Sequence, residues 1–191
     1  MNTSKGAPDP APQTSDDIIL RPVGVIRNDI TEPFLTATDH GLELGEKMEA
    51  VRAAIREMRQ RVSQIIIRRD WMDLLDGLDG YSHGMLLYWG HRVPEHGRGL
   101  TRVHPMGRKE FPLTGIFATC SPARPNPVLM SVVRLHSRKD NVLKVSGTDA
   151  VNGSPVIDIK PYVKEWYPQT GTTIPPWMQQ ILDEAGERKE S

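Results

Sequence analysis

Gly115–Ser131 reads GIFATCSPARPNPVLMS, and the rest of the chain is organised around it. The run Leu113 to Ala118 is apolar except for Thr114 and Gly115 and predicts a strand. Val128 to Leu135 predicts a second. Between them, Pro122, Pro125 and Pro127 fix their own φ and bias the residues before them away from helix, so the connecting loop is stiff. A stiff loop holds Ser121, Arg124 and Asn126 at fixed positions, and groups already in place lose less entropy when a ligand arrives. The same residues would also serve a proline-braced turn with a surface arginine. The loop alone suggests a site without saying for what.

Working outward, Ile18 to Arg27 is rich in β-branched residues and predicts a strand, with Pro22 marking an edge or bulge. Leu44, Met48, Val51, Ile55, Met58 and Val62 recur at steps of three and four, which predicts an amphipathic helix over about 44–62. Gln64 to Arg69 reads as a strand, Trp71 to Leu75 as a helical turn ending at Gly77, and Tyr81 to Arg92 as a long strand. Val93 to Gly99 and Val103 to Pro112 read as loops. Val142 to Asp149 and Pro155 to Ile159 read as two strands joined by Asn152-Gly153, a tight-hairpin signal. Short strands at roughly ten-residue spacing, punctuated by Gly, Pro and Asn, predict an antiparallel barrel. No GxGxxG follows a strand, so a dinucleotide-type Rossmann site has no support.

The chain has 191 residues, a length suited to one domain with tails. Residues 1–17 are rich in Pro, Ser and Asp and predict a disordered tail, 18–163 the barrel domain, and 164–191 a C-terminal arm packed through Ile174, Trp177, Met178 and Ile181. Lys and Arg number 24 and Asp and Glu 24, so the formal net charge is zero, which argues against a dominant electrostatic grip on nucleic acid. Arg98, Arg102, Arg108 and Lys109 are the candidates for a local basic patch. One cysteine, Cys120, excludes an internal disulfide and suits a reducing cytoplasm. No apolar run approaches membrane-spanning length. His91, His96 and His104 lack a paired metal-ligand motif, so no metal site is expected.

The central stretch resembles the signature of the TsaA-like (YaeB/TrmO) family, roughly GVFATRSPxRPNPIGLS. Asp76 to His83 (DGLDGYSH), Asp149 to Tyr162 (DAVNGSPVIDIKPY) and RPVGVIR at 21–27 extend the resemblance over about 18–163. It implies a mainly β, TsaA-like antiparallel barrel, here with an inserted helix, and an S-adenosyl-L-methionine-dependent methyltransferase. The family default is N6-methylation of threonylcarbamoyladenosine at tRNA position 37. A small-molecule acceptor and a non-catalytic adenosylmethionine-binding module are the alternatives. The resemblance also implies a homodimer with the cofactor site near the subunit interface.

Carried over residue by residue, the resemblance implies cofactor contacts from His91, Arg92, Cys120, Met130, Asp149, Ala150, Val151 and Asn152. Substrate contacts would come from Ser121, Arg124, Asn126 and Lys160, with Arg124 and Lys160 gripping an anionic acceptor. His83, after Ser82, is a structural hydrogen-bonding candidate. Four departures bear on the substrate. Cys120 stands where the family has Arg, and a thiol cannot replace a five-donor cation. Asn152 replaces a second Asp, Leu129 replaces a glycine, and the predicted helix stands where the family carries a Pro-Arg-Gln-type segment. No catalytic residue is assigned.

Overall fold

The structure, a computed structural model, describes residues 18–33, 35–38, 41–44, 57 and 60–185. The described residues form ten strands: β1 Gly24–Arg27, β2 Leu35–Thr38, β3 Gly41–Leu44, β4 Val62–Ile67, β5 His83–Trp89, β6 Arg102–Val103, β7 Thr114–Gly115, β8 Val128–Lys139, β9 Val142–Ser146 and β10 Pro155–Pro161. Six of them close into a barrel in the order β1-β10-β5-β8-β9-β4, every pairing antiparallel. The predicted fold class is the observed one. β2 pairs with β3, and β6 with β7, as small satellites.

Residues two apart point to the same face of a strand. Ser63, Ile65 and Ile67 on β4, Leu86 and Tyr88 on β5, and Leu143 and Val145 on β9 are accordingly buried, and all of these but Ser63 meet Ile26, Val133 and Val156 in one core. A barrel of six strands has room for little besides these side chains. Closure draws β1 so near β4 that a Cβ on Gly24 would lie 2.4 Å from the Ile66 carbonyl oxygen, so only glycine fits. Irregularities at Leu135/Ser137 and Val156/Asp158 bend β8 and β10 round the barrel. A second, smaller cluster of Val103, Ile116 and Ala123 lies beneath the proline-rich loop.

Several boundaries differ from expectation. The strand expected over 18–27 begins only at Gly24: Pro22 has no N–H for a ladder, and Ile18 and Ile19 are exposed. The strand expected over 113–118 is reduced to β7, after which Ile116–Ala118 turns as a 3-10 helix held by Thr119 Oγ1 donating to the Ile116 carbonyl at 2.8 Å. β5 stops at Trp89, and His91 and Arg92 lie in the turn beyond. The two loops expected over 93–112 contain the short helix α1 (Glu95–Arg98), β6 and a 3-10 turn.

Asn152-Gly153 does not form the expected hairpin, because β9 and β10 are not neighbours. Asn152-Gly153 does turn tightly, the Ser154 amide donating to the Val151 carbonyl at 3.0 Å with Gly153 at φ 86°, but the two central amides donate to Ile30 and Ile26 in and just after neighbouring β1, so the turn links strands that do not pair. The two-residue hairpin is instead Asp140-Asn141, between β8 and β9, with Asp140 at φ 53°. Most of the expected helix over 44–62 lies outside the described residues. Its two ends, Leu44 and Val62, belong to strands β3 and β4, while Glu57 and Gln60 are helical. In the C-terminal segment, α2 (Pro176–Glu184) buries Trp177 against Phe111, and Arg108 pairs with Glu184. No described helix is long and apolar enough to cross a membrane.

Candidate functional site

Three segments converge where β5 ends and β8 begins. The turn after β5 brings Gly90 to Pro94, the proline-rich loop brings Thr119, Cys120 and Pro122 to Arg124, and the connection from β9 to β10 brings Asp149 to Val151 and Ser154. With Tyr88, Val128, Leu129, Met130 and Pro33 they enclose a cavity of about 390 Å³, within the usual range for small-molecule sites. Its walls are mostly apolar, with the polar groups confined to a few positions.

The connection from β9 to β10 is tied down from β1. Asn28 Nδ2 donates to the Ala150 carbonyl at 2.9 Å and to Ser63 Oγ at 3.1 Å, and the Asn28 amide donates to Asn152 Oδ1 at 3.2 Å. Ala150 is buried, and the Asp149 side chain stands at the cavity surface. Asp149 Oδ1 accepts from the Tyr88 hydroxyl at 2.6 Å and from Ser131 Oγ at 3.1 Å. Burial pushes the Tyr88 hydroxyl far above the usual tyrosine pKa, and the Asp149 carboxylate adds to the shift, so Tyr88 stays a donor.

His91 Nδ1 lies 3.2 Å from the Ser154 hydroxyl. Partial burial, and then the charge of Arg92, hold its pKa below the ordinary 6.5, so the ring is neutral at physiological pH. Arg92 is exposed at the rim and forms no ion pair with a described residue. Arg124 faces the cavity while two of its donors fold its own loop: Nε to the Ser121 carbonyl at 2.9 Å and Nη2 to the Thr119 carbonyl at 2.7 Å. Cys120 is exposed on the wall as a free thiol.

Eight of the residues singled out from sequence therefore meet at one cavity: His91, Arg92, Cys120, Arg124, Met130, Asp149, Ala150 and Val151. Four do not line it. Asn152 turns to the β1 end, as above. Ser121 is buried, its hydroxyl accepting from the Ala123 amide at 3.2 Å. Asn126 is exposed on the outer side of the loop. Lys160 pairs with Asp158 at 2.6 Å and sits opposite Met85, whereas the cavity end of β10 is Val156, opposite Tyr88. Those four residues of strand put Lys160 about 13 Å away, so Arg124 and Lys160 do not form one grip. His83 hydrogen-bonds its neighbour Ser82, Nδ1 to Oγ 2.9 Å, outside the cavity lining.

Sequence reasoning missed Tyr88, Ser131, Ser154 and Asn28. Tyr88 left a signal: it shares the inward register of Leu86, and an inward tyrosine needs a partner for its hydroxyl. Asn28 left none, since Ala150 and Asn152, the site residues it ties down, are more than a hundred residues away in sequence.

Residues 48–166 match the profile of the tRNA-methyltransferase O N-terminal domain. A "Probable S-adenosyl-L-methionine-binding protein" of Methanothermobacter thermautotrophicus is 38% identical over 149 residues, covering 78% of this chain and 93% of that protein. The "tRNA (adenine(37)-N6)-methyltransferase" of Escherichia coli is 36% identical over 145 residues, 74% of this chain and 56% of the relative. The crystal structure of TrmO from Pseudomonas aeruginosa superposes with a TM-score of 0.57 at 26% identity, covering 83% of this chain. This chain spans only 62% of that TrmO chain's length. The cavity is thus built from segments that fall, apart from Pro33, inside the matched region, and the chain belongs to the tRNA-methyltransferase O N-terminal domain family.

Proposed function

We propose that the chain is an S-adenosyl-L-methionine-dependent methyltransferase whose acceptor is N6 of threonylcarbamoyladenosine at tRNA position 37. The reaction class and the cofactor rest on family membership and on relatives named as S-adenosyl-L-methionine-binding proteins. The acceptor rests on the Escherichia coli relative's named activity and is the finer part of the proposal.

The observation that carries this reading is the chemistry of the cavity wall. Adenosylmethionine combines a sulfonium cation, a carboxylate and a flat adenine, and it supplies an activated methyl group. Apolar walls suit the adenine, the Asp149 carboxylate suits the cation, and Arg92 at the rim suits the ligand's carboxylate. The acceptor nitrogen carries a proton that must leave. Asp149 and the neutral His91 ring are the cavity groups able to take one. A homodimer and a cytoplasmic location belong to the same proposal. Met130 and Val132, exposed beside the cavity on β8, support the first, and the lone free cysteine supports the second.

Methylation of a small molecule is the second reading, favoured by the zero net charge and by Cys120 on the wall where the family pattern has a cation. Calorimetric titration with adenosylmethionine and S-adenosylhomocysteine comes first, with micromolar binding expected. The protein is then incubated with adenosylmethionine and tRNA from a strain lacking this modification, and the nucleosides are analysed by mass spectrometry. One added methyl on threonylcarbamoyladenosine supports the first reading. Binding without tRNA methylation, rescued in Cys120→Arg, identifies a tRNA enzyme that has drifted. Binding without rescue moves the assignment to a small-molecule acceptor or a binding module, and no binding sinks the cofactor itself.

A further inference from the structure

The polar group that the barrel core sends to the cavity wall is the hydroxyl of Tyr88. The side chain is 3% exposed, packed in the core with Leu86, and its hydroxyl donates to Asp149 Oδ1 at 2.6 Å. Ser131, on β8 next to β5, donates to the same oxygen at 3.1 Å, and Thr148 Oγ1 lies 3.4 Å from Ser131 Oγ. Both protein donors grip Oδ1, and Oδ2 has no donor among the described residues. Rotation of the carboxylate would break both bonds at once, and each bond to an ionised group is stronger than a neutral one. Asp149 is exposed at the cavity, so Oδ2 is open to a ligand.

We propose that Tyr88 is a positioning residue: with Ser131 it clamps Asp149 so that one carboxylate oxygen presents a fixed negative charge to the cavity, and this charge biases the site toward a cationic sulfonium over the neutral thioether left after methyl loss. The inference rests on the adenosylmethionine reading above and adds to it a means of telling substrate from product. The two ligands differ by one methyl group and one unit of charge. A group that acts through charge therefore changes the ratio of their affinities, whereas a group that only shapes the cavity weakens both.

The test is calorimetry on the purified full chain with adenosylmethionine and S-adenosylhomocysteine separately, for wild type, Tyr88→Phe, Ser131→Ala and Asp149→Asn. Phenylalanine fills the same core space, so thermal melting controls for folding. Tyr88→Phe is expected to lower the ratio of homocysteine-form Kd to methionine-form Kd by about three- to tenfold, the range of one ordinary hydrogen bond. Asp149→Asn should lower it at least as far, and Ser131→Ala in the same direction by less. An unchanged ratio in Tyr88→Phe, or equal weakening of both ligands, overturns the inference while leaving the cofactor intact. Should Tyr88→Phe fail to fold, Ser131→Ala decides alone, and an unchanged ratio there overturns it. Wild-type protein that binds neither ligand overturns the cofactor reading, and this inference with it.

Discussion

At the scale of single residues, His91 ties the site to pH. The folded environment lowers its pKa, chiefly by burial and then through Arg92, whereas the unfolded chain titrates near 6.5. Below that value the unfolded state binds a proton that the folded state resists. The folded state therefore loses stability as pH falls from about 6.5 toward the lowered value, and the contribution is constant above 6.5. His91→Gln should flatten the fall in melting temperature as pH drops below about 6.5, relative to wild type. Parallel wild-type and variant profiles would show that the ring is not held neutral. His91 was legible because it stands in a recognisable motif. Tyr88 was harder to see, because in sequence an inward tyrosine reads as one more core aromatic until its partner is known. Lys160 misled for the opposite reason: its motif is intact, but strand geometry carries it away from the cavity and pairs it with Asp158.

At the scale of elements, the junction after β5 governs the cavity's shape. A Cβ added to Gly90 would lie 3.2 Å from Leu129 Cδ1 and Val93 Cγ2 and 3.4 Å from Pro127 Cβ, and Leu129 and Val93 are themselves cavity wall. Gly90→Ala should cost about 1–3 kcal/mol by overpacking and also weaken ligand binding, measured by urea denaturation and calorimetry. Unchanged values would mean the walls yield freely. β4 and β5, strands whose presence was read correctly, bury alternate residues, and alternation is a property of the local sequence. The errors came where the decision was not local. Asn152-Gly153 makes the tight turn its composition suggests, but its amides reach the carbonyls of Ile30 and Ile26 and the strands it joins do not pair, and no window around it contains that information. Leu113 to Ala118 was apolar enough for a strand, but Ile116 is buried in the satellite cluster with Val103 and Ala123, and the chain turns to put it there.

At the scale of the whole molecule, the cavity lies between two apolar centres, the barrel interior and that satellite cluster. Trp177 on α2, 9% exposed, covers Phe111 in the segment joining β6 to β7, and Arg108 there pairs with Glu184 and lies 4.3 Å over the Phe111 ring. Trp177→Ala should cost about 3–5 kcal/mol in urea denaturation, and a loss below 1 kcal/mol would show the C-terminal helix to be an ornament. The barrel's closure has a consequence for the newborn chain. Without β10, the remaining barrel strands run β1-β4-β9-β8-β5, an open sheet whose two outer strands lack a partner along one side. Only when Pro155–Pro161 has left the ribosome can both margins be joined, and the same stretch of translation delivers Asp149 to Ser154. A chain stalled before about residue 155 therefore lacks the completed cavity and displays two adhesive edges, the form most prone to aggregate. Ligand binding thus certifies that synthesis ran past the last strand.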